Sequence, residues 1–238
     1  MTTIGNRPDR LARRLLQLYA GLALYGLSIG LMIESTLGLD PWDVFHQGLS
    51  RLTGASIGTV TIVVGALVLL LWIPLRQRPG FGTVSNVVVV GVAADLALAV
   101  LPTVTPFPTR IGFLVAGVVL NGVATGLYIG ARFGPGPRDG LMTGFVARHP
   151  RHSIRMVRTV IEVTVLAVGW LLDGTVGIGT VVYALSIGPL VHLFIPMFTV
   201  PPTEPGRHGP ITGTARQAAT TRIARDVPTT DVSREAAT

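Results

Sequence analysis

The chain contains no cysteine and no lysine; all nineteen basic residues are arginine. Without Cys there are no disulfides, no thiolate metal ligands and no Cys nucleophile. Without Lys there is no Schiff-base chemistry and no P-loop clamp for phosphate. Charge is scarce as well. Only 13% of the 238 residues are charged, about half of the ~25% carried by ordinary soluble domains. Against this stand 49% hydrophobic residues and a mean hydropathy of +0.58. A soluble core of this length cannot bury so much apolar surface, which leaves an integral membrane protein. The net charge of +7 fits either nucleic acid or anionic lipid, and its distribution along the chain favours lipid.

Six segments are long enough to cross about 30 Å of hydrocarbon at roughly 1.5 Å per residue. They lie near Leu11–Ile33, Ile57–Leu75, Phe81–Leu101, Ile111–Ile129, Met156–Leu172 and Thr175–Phe198. The first follows Arg10, Arg13 and Arg14 like a signal peptide, but its apolar run is too long and lacks a cleavage site, so it is expected to stay as an anchor. Arginines assign the sides. Arg7, Arg10, Arg13 and Arg14 precede span one, Arg76 and Arg78 join spans two and three, and Arg132, Arg138, Arg148, Arg151 and Arg155 separate spans four and five. The alternate connections hold only Arg51 and Arg110, beside Asp40, Asp43 and Asp173. The positive-inside rule then places both termini in the cytoplasm.

The sequence repeats itself. Ala20–Leu31 matches Ala116–Leu127, and the same offset pairs Gly38 with Gly134, Pro41 with Pro137, Asp43 with Asp139 and Gly48 with Gly144. One inserted residue later, Ser56-Ile57 pairs with Ser153-Ile154, Gly82-Thr83 with Gly179-Thr180, and Gly91 with Gly188. Each copy carries three spans, an odd number, so the copies face opposite ways across the bilayer. Such inverted repeats characterise many secondary transporters. The expected organisation is a cytoplasmic segment 1–10, a transmembrane domain 11–198 with repeats 11–101 and 108–198, and a tail 199–238. The fold class is all-α and polytopic. The tail is rich in Thr, Arg, Pro and Ala and is expected to be disordered in the cytoplasm. Its arginines are nearly balanced by Glu204, Asp226, Asp231 and Glu235, which argues against nucleic-acid binding.

Gly38-Leu39-Asp40-Pro41-Trp42-Asp43 and its echo Gly134-Pro135-Gly136-Pro137-Arg138-Asp139-Gly140 resemble the bacterial YczE/YitT-like membrane proteins. The stretch from Trp72 to Gly80, followed by Gly82-Thr83, and the stretch Thr175–Thr180 are similar too, closest to the YczE-like branch. The resemblance covers roughly Leu11 to Phe198. It implies a multi-pass protein of the bacterial inner membrane with no assigned biochemical function, and it supplies no catalytic or substrate residues.

Four groups of residues are candidates for chemistry. Each of the segments Pro41–Leu52 and Pro137–Arg148 makes a helix of about twelve residues, roughly 18 Å, too short to span. Asp40 suits an N-cap, Pro41 the first helical position and Asp43 the third, and Gly136, Pro137 and Asp139 repeat the arrangement. Two readings stay open. As re-entrant half-helices, their positive ends and Arg138 face an anionic or zwitterionic solute near the midplane. As interfacial connectors, Asp43 and Asp139 only cap, and Trp42, Phe45, Leu49, Leu141 and Phe145 anchor the chain in the membrane.

The second group is intramembrane charge: Asp95, Arg158, Glu162 and His192 lie inside expected spans, where ionisable groups are costly and usually partnered. Arg158 and Glu162 are four apart and can pair. Glu162 and His192 fall at similar depth and can share a proton, Glu162 being the best coupling group because Gly65 stands in its place in the first copy. The third group is polar residues within spans, Tyr25 with its repeat-mate Asn121 and Asn86 with Tyr183, which bond either a ligand or a neighbouring helix. The fourth is Gly26-x-x-x-Gly30 and Gly122-x-x-x-Gly126-x-x-x-Gly130, small faces for close helix packing. Gly188-Pro189 is expected to break the last span.

Two matches to G-x-S-x-G, at Gly26–Gly30 and Gly54–Gly58, lack the strand-turn-helix elbow that motif needs, and Ala124 replaces Ser28 in the second copy. The chain is therefore expected to be no enzyme and to need no metal or cofactor. Its partners are the bilayer and a small-molecule solute that it binds or transports. The alternative is an accessory or regulatory membrane protein acting through its cytoplasmic loop or tail.

Overall fold

A computed structural model describes residues 8–199; the expected tail and the first seven residues lie outside the described part. Among the described residues the chain forms eight helices: α1 (Pro8–Ser35), α2 (Pro41–Thr53), α3 (Ile57–Trp72), α4 (Phe81–Val100), α5 (Phe107–Gly130), α6 (Pro137–Arg148), α7 (Ile154–Leu171) and α8 (Ile178–Phe198). Local chemistry sets several of their starts. The Asp40 carboxylate accepts from the Trp42 and Asp43 amides and Pro41 sits at the first turn of α2, while Ser56 and Ser153 cap α3 and α7. Gly54 ends α2 in the left-handed region at φ 74°, the conformation that favours glycine.

Four helices, α1, α4, α5 and α8, are long and apolar enough to cross a membrane, and α2 with α3 forms a further candidate bent by 114°. The spans expected over Ile57–Leu75 and Met156–Leu172 appear as α3, with sixteen residues, and α7, with eighteen. Neither stands among these four, α3 because it is short and α7 because it carries Arg155, Arg158 and Glu162. Large aliphatic side chains point outward along several helices, among them Leu67, Leu70, Leu96, Val100, Leu185 and Leu193. Exposed apolar surface of this extent belongs against lipid. The protein is an integral, helical membrane protein.

Packing recurs between the two halves. α1 packs on α4 as α5 packs on α8, α2 meets α7 as α3 meets α6, and α1 lies against α5 at the centre. Gly26 and Gly30 bring α1 against Ala93 and Ala97 of α4, and Gly122 and Gly126 bring α5 against Leu190 and Phe194 of α8. The central pair is antiparallel. Arg14, near the start of α1, donates to the carbonyls of Ala131 and Arg132 just past the end of α5. Its repeat-mate Arg110, near the start of α5, donates to Ser35 and Thr36 at the end of α1. Each arginine thus satisfies the free carbonyls that close the other helix.

The turns repeat as well. Gly38 and Gly134 adopt φ of +122° and +121°, where an L side chain is strained. Beside them the Gly179 amide donates to Leu37 O at 2.8 Å and the Gly82 amide to Phe133 O at 2.9 Å. These mates stitch the loop after each long first helix to the start of the last helix of the other half.

One expectation is corrected. α8 runs unbroken from Ile178 to Phe198 through Pro189 and Pro196. Proline removes one backbone donor, but breaking the helix in apolar surroundings strands several polar groups at several kcal/mol each, so the helix persists. A real asymmetry also separates the halves. α3 packs on α4, whereas α7 has no comparable contact with α8. Gly58 lets α3 approach the Gly91 carbonyl and the Asp95 carboxylate. Arg155 stands in the place of Gly58 in the second half, and around Gly188, the mate of Gly91, there is open space where a Cβ would sit.

Candidate functional site

The short helices do not lie apart on two surfaces. Their N-terminal ends meet inside the molecule: Arg138, at the second position of α6, reaches Asp43 Oδ1 of α2 with Nη2 at 3.4 Å and Asp40 Oδ1 with Nη1 at 3.7 Å. The guanidinium also covers the ring of Trp42, 5.1 Å from its centre. Asp40 and Asp43 are almost wholly buried, 2% and 1% exposed. The connector reading of Trp42 as a membrane anchor does not describe its place, since it is 6% exposed and packs with Val60, Val64 and Val68 of α3. His46, one turn further along α2, has Nδ1 3.3 Å from both Asp43 Oδ1 and Thr61 Oγ1 of α3.

Over this junction lies a cavity of about 260 Å³, walled by residues from all eight helices. Its polar wall comprises Tyr25, Asp40, His46, Thr61, Asn86, Tyr128, Arg138, Asp139, Arg158, Glu162 and Tyr183; Val64, Val68, Val87, Val90, Met142 and Ile187 supply the apolar part. Arg158 Nε and Glu162 Oε1 are 2.8 Å apart. The Tyr128 hydroxyl donates to Asp139 Oδ2 at 3.1 Å, and its ring meets that of Tyr25 edge-on at 6.2 Å. Below about 300 Å³ a pocket suits a small solute rather than a drug-sized one.

Seven of the expected site residues line this cavity: Tyr25, Asn86, Arg138, Asp139, Arg158, Glu162 and Tyr183. Asp43 stands behind Arg138. Asn121 is a supporting residue, donating to Ser28 Oγ at 3.0 Å and accepting from the Tyr183 hydroxyl at 3.1 Å. Asp95 is elsewhere: it accepts from Ser56 Oγ at 2.6 Å and from the Gly58 amide at 2.7 Å, closing the N-terminus of α3. His192 is exposed on α8 and does not line the cavity, and Glu162 bonds Arg158 instead.

Asp40, expected only as a cap, lines the cavity, as do His46, Thr61 and Tyr128, none of which is among the expected site residues. Asp40 was legible in the Gly38–Asp43 motif. His46 carried a weak signal, one turn after Asp43 in α2, and Thr61 and Tyr128 carried none.

The arrangement defines a polytopic helical membrane protein with a central polar cavity shared by both halves. The chain belongs to DUF6198, a family of unknown function whose model matches residues 12–196. It is 38% identical over 174 residues to an uncharacterized protein of Haemophilus influenzae, covering 73% of this chain and 79% of that one. To the uncharacterized membrane protein YczE of Bacillus subtilis it is 33% identical over 180 residues, covering 75% and 83%. The uncharacterized protein YyaS of Bacillus subtilis is 28% identical over 181 residues, covering 74% and 90%. No solved structure matches the chain.

Proposed function

We propose that this protein binds a small solute in the central cavity and carries it across the bacterial inner membrane. In this reading it crosses the bilayer six times as two inverted three-span repeats, with both termini in the cytoplasm. The observation that carries the reading is the cavity itself, built where the N-terminal ends of α2 and α6 meet, one from each half, and lined by residues of all eight helices. Sites at the meeting of two interrupted helices near the midplane are how inverted-repeat transporters hold solutes.

The antiparallel α1–α5 pair supports the inversion. α3 and α7, at about 24 and 27 Å by helical rise, are the short crossings, each lengthened by the re-entrant helix beside it. The charged start of α7 then faces the cytoplasmic arginines, and Arg158 and Glu162 reach inward to the site. α7 is exposed along most of its length and does not pack on α8, so it is the element free to move in alternating access.

The absence of cysteine gives a direct test. Ala184 is exposed on the cavity wall, and a single Ala184→Cys reporter should react with a small thiol reagent. Amino acids, amines, organic acids and sugars are then screened for slowing of that reaction and for uptake into liposomes. At least one solute should do both. A panel in which none protects the reporter and none is taken up contradicts the proposal.

A further inference from the structure

The expected solute is anionic or zwitterionic, and the charge balance of the cavity runs against the anionic alternative. Four carboxylates, Asp40, Asp43, Asp139 and Glu162, stand at the junction against two guanidiniums. Both guanidiniums are already engaged, Arg138 by Asp40 and Asp43, and Arg158 by Glu162. The positive N-terminal ends of α2 and α6 likewise meet the chain's own carboxylates in their first turns. Among the fully buried side-chain atoms at the junction that lack a hydrogen-bond partner, acceptors outnumber donors. Asp40 Oδ2 and Asp43 Oδ2 are buried and accept no hydrogen bond, and the Trp42 indole N–H is the one buried cavity donor left unused. A buried carboxylate oxygen without a donor costs about 1–3 kcal/mol or more, and groups of this kind are kept where something else supplies the missing donor.

Resting on the reading of this cavity as a solute site, we propose that the solute is a small protonated amine. Its N–H groups donate to the Asp40 carboxylate beside the Trp42 ring, and its carbon part lies against Val64, Val87 and the ring of Tyr25. The ammonium supplies the positive charge that two guanidiniums do not provide for four carboxylates, and three N–H donors suit acceptors that have none. A carboxylate ligand would add a fifth negative group where no free cation faces it.

The test uses the full chain with the Ala184→Cys reporter and three probes of equal carbon length at neutral pH: n-butylamine, butyrate and 1-butanol. Butylammonium should slow modification of the reporter at concentrations where butyrate and butanol do not. Asp40→Asn keeps a good N-cap and the Oδ1 acceptor but removes the charge. It should weaken protection by about tenfold or more while the reporter reacts at its normal rate without ligand. Glu162→Gln, whose amide oxygen still accepts from Arg158, should weaken protection less. Protection by butyrate in place of butylammonium overturns the amine assignment and leaves the site reading standing. So does protection by none of the three when every solute the broad panel finds lacks an amine. Protection by no solute at all overturns both.

Discussion

Arg138→Gln should be the most damaging single change in the cavity. The guanidinium is the charge partner of Asp40 and Asp43, both almost wholly buried, and the lid on Trp42. Removing one partner of a buried ion pair costs about 3–5 kcal/mol, because the desolvated charge left behind is not compensated. Here two carboxylates lose the same partner. Purified Arg138→Gln should therefore leave the folded, monodisperse state at a much lower temperature than the parent, read by fluorescence-detected size exclusion after heating. Adding Asp43→Asn and Asp40→Asn should return most of the loss, since the amides need no counter-charge and Asn still caps α2. A triple variant no more stable than Arg138→Gln alone would mean that Arg138 acts through packing rather than through charge.

The second large effect is a contrast between repeat-mates. A Cβ at Gly91 would sit 2.5 Å from the Gly58 carbonyl oxygen and 2.6 Å from Ile62, whereas one at Gly188 meets no atom within 4 Å. Gly91→Ala must push α4 off α3 backbone against backbone, an overpacking cost of about 1–3 kcal/mol or more. It also loosens the Asp95 contact that closes the start of α3. Gly188→Ala should be neutral or gain up to about 1 kcal/mol, the ordinary advantage of Ala over Gly within a helix. Thermal stability of the two variants in one detergent reads the difference directly. Equal losses at both sites would mean that α7 and α8 close on each other in solution as tightly as α3 and α4 do.

That contrast also marks the limit of what the sequence discloses. The Gly-rich register identifies 91 and 188 as mates, yet Arg155 stands in the place of Gly58, Thr159 of Ile62 and His192 of Asp95, and the consequence needs the packed helices. The helix starts at Pro41 and Pro137 were legible because caps are local: Asp40, Pro41 and Asp43 lie within four residues. The ion pair from Arg138 to Asp43 was not, because it joins residues 95 apart and periodicity reports that a face is buried without naming what covers it. Charge at Arg138 points to an anionic or zwitterionic solute for the same reason; its two carboxylate partners sit in the other half of the chain. Gly188-Pro189 misled because the local rule for proline weighs one lost hydrogen bond, whereas the apolar surroundings weigh every group a break would expose.

The central claim is that two oppositely oriented halves build one cavity, and side-specific labelling tests it most directly. Leu52 and Arg148 are repeat-mates at the outer ends of α2 and α6, and both are exposed. Single cysteines there, in a chain that has none of its own, are treated in intact cells and in inverted vesicles with an impermeant thiol reagent. Leu52→Cys should label only from the periplasmic side and Arg148→Cys only from the cytoplasmic side. Labelling of both from one face would contradict the inversion and, with it, a cavity shared by half-helices that enter from opposite sides.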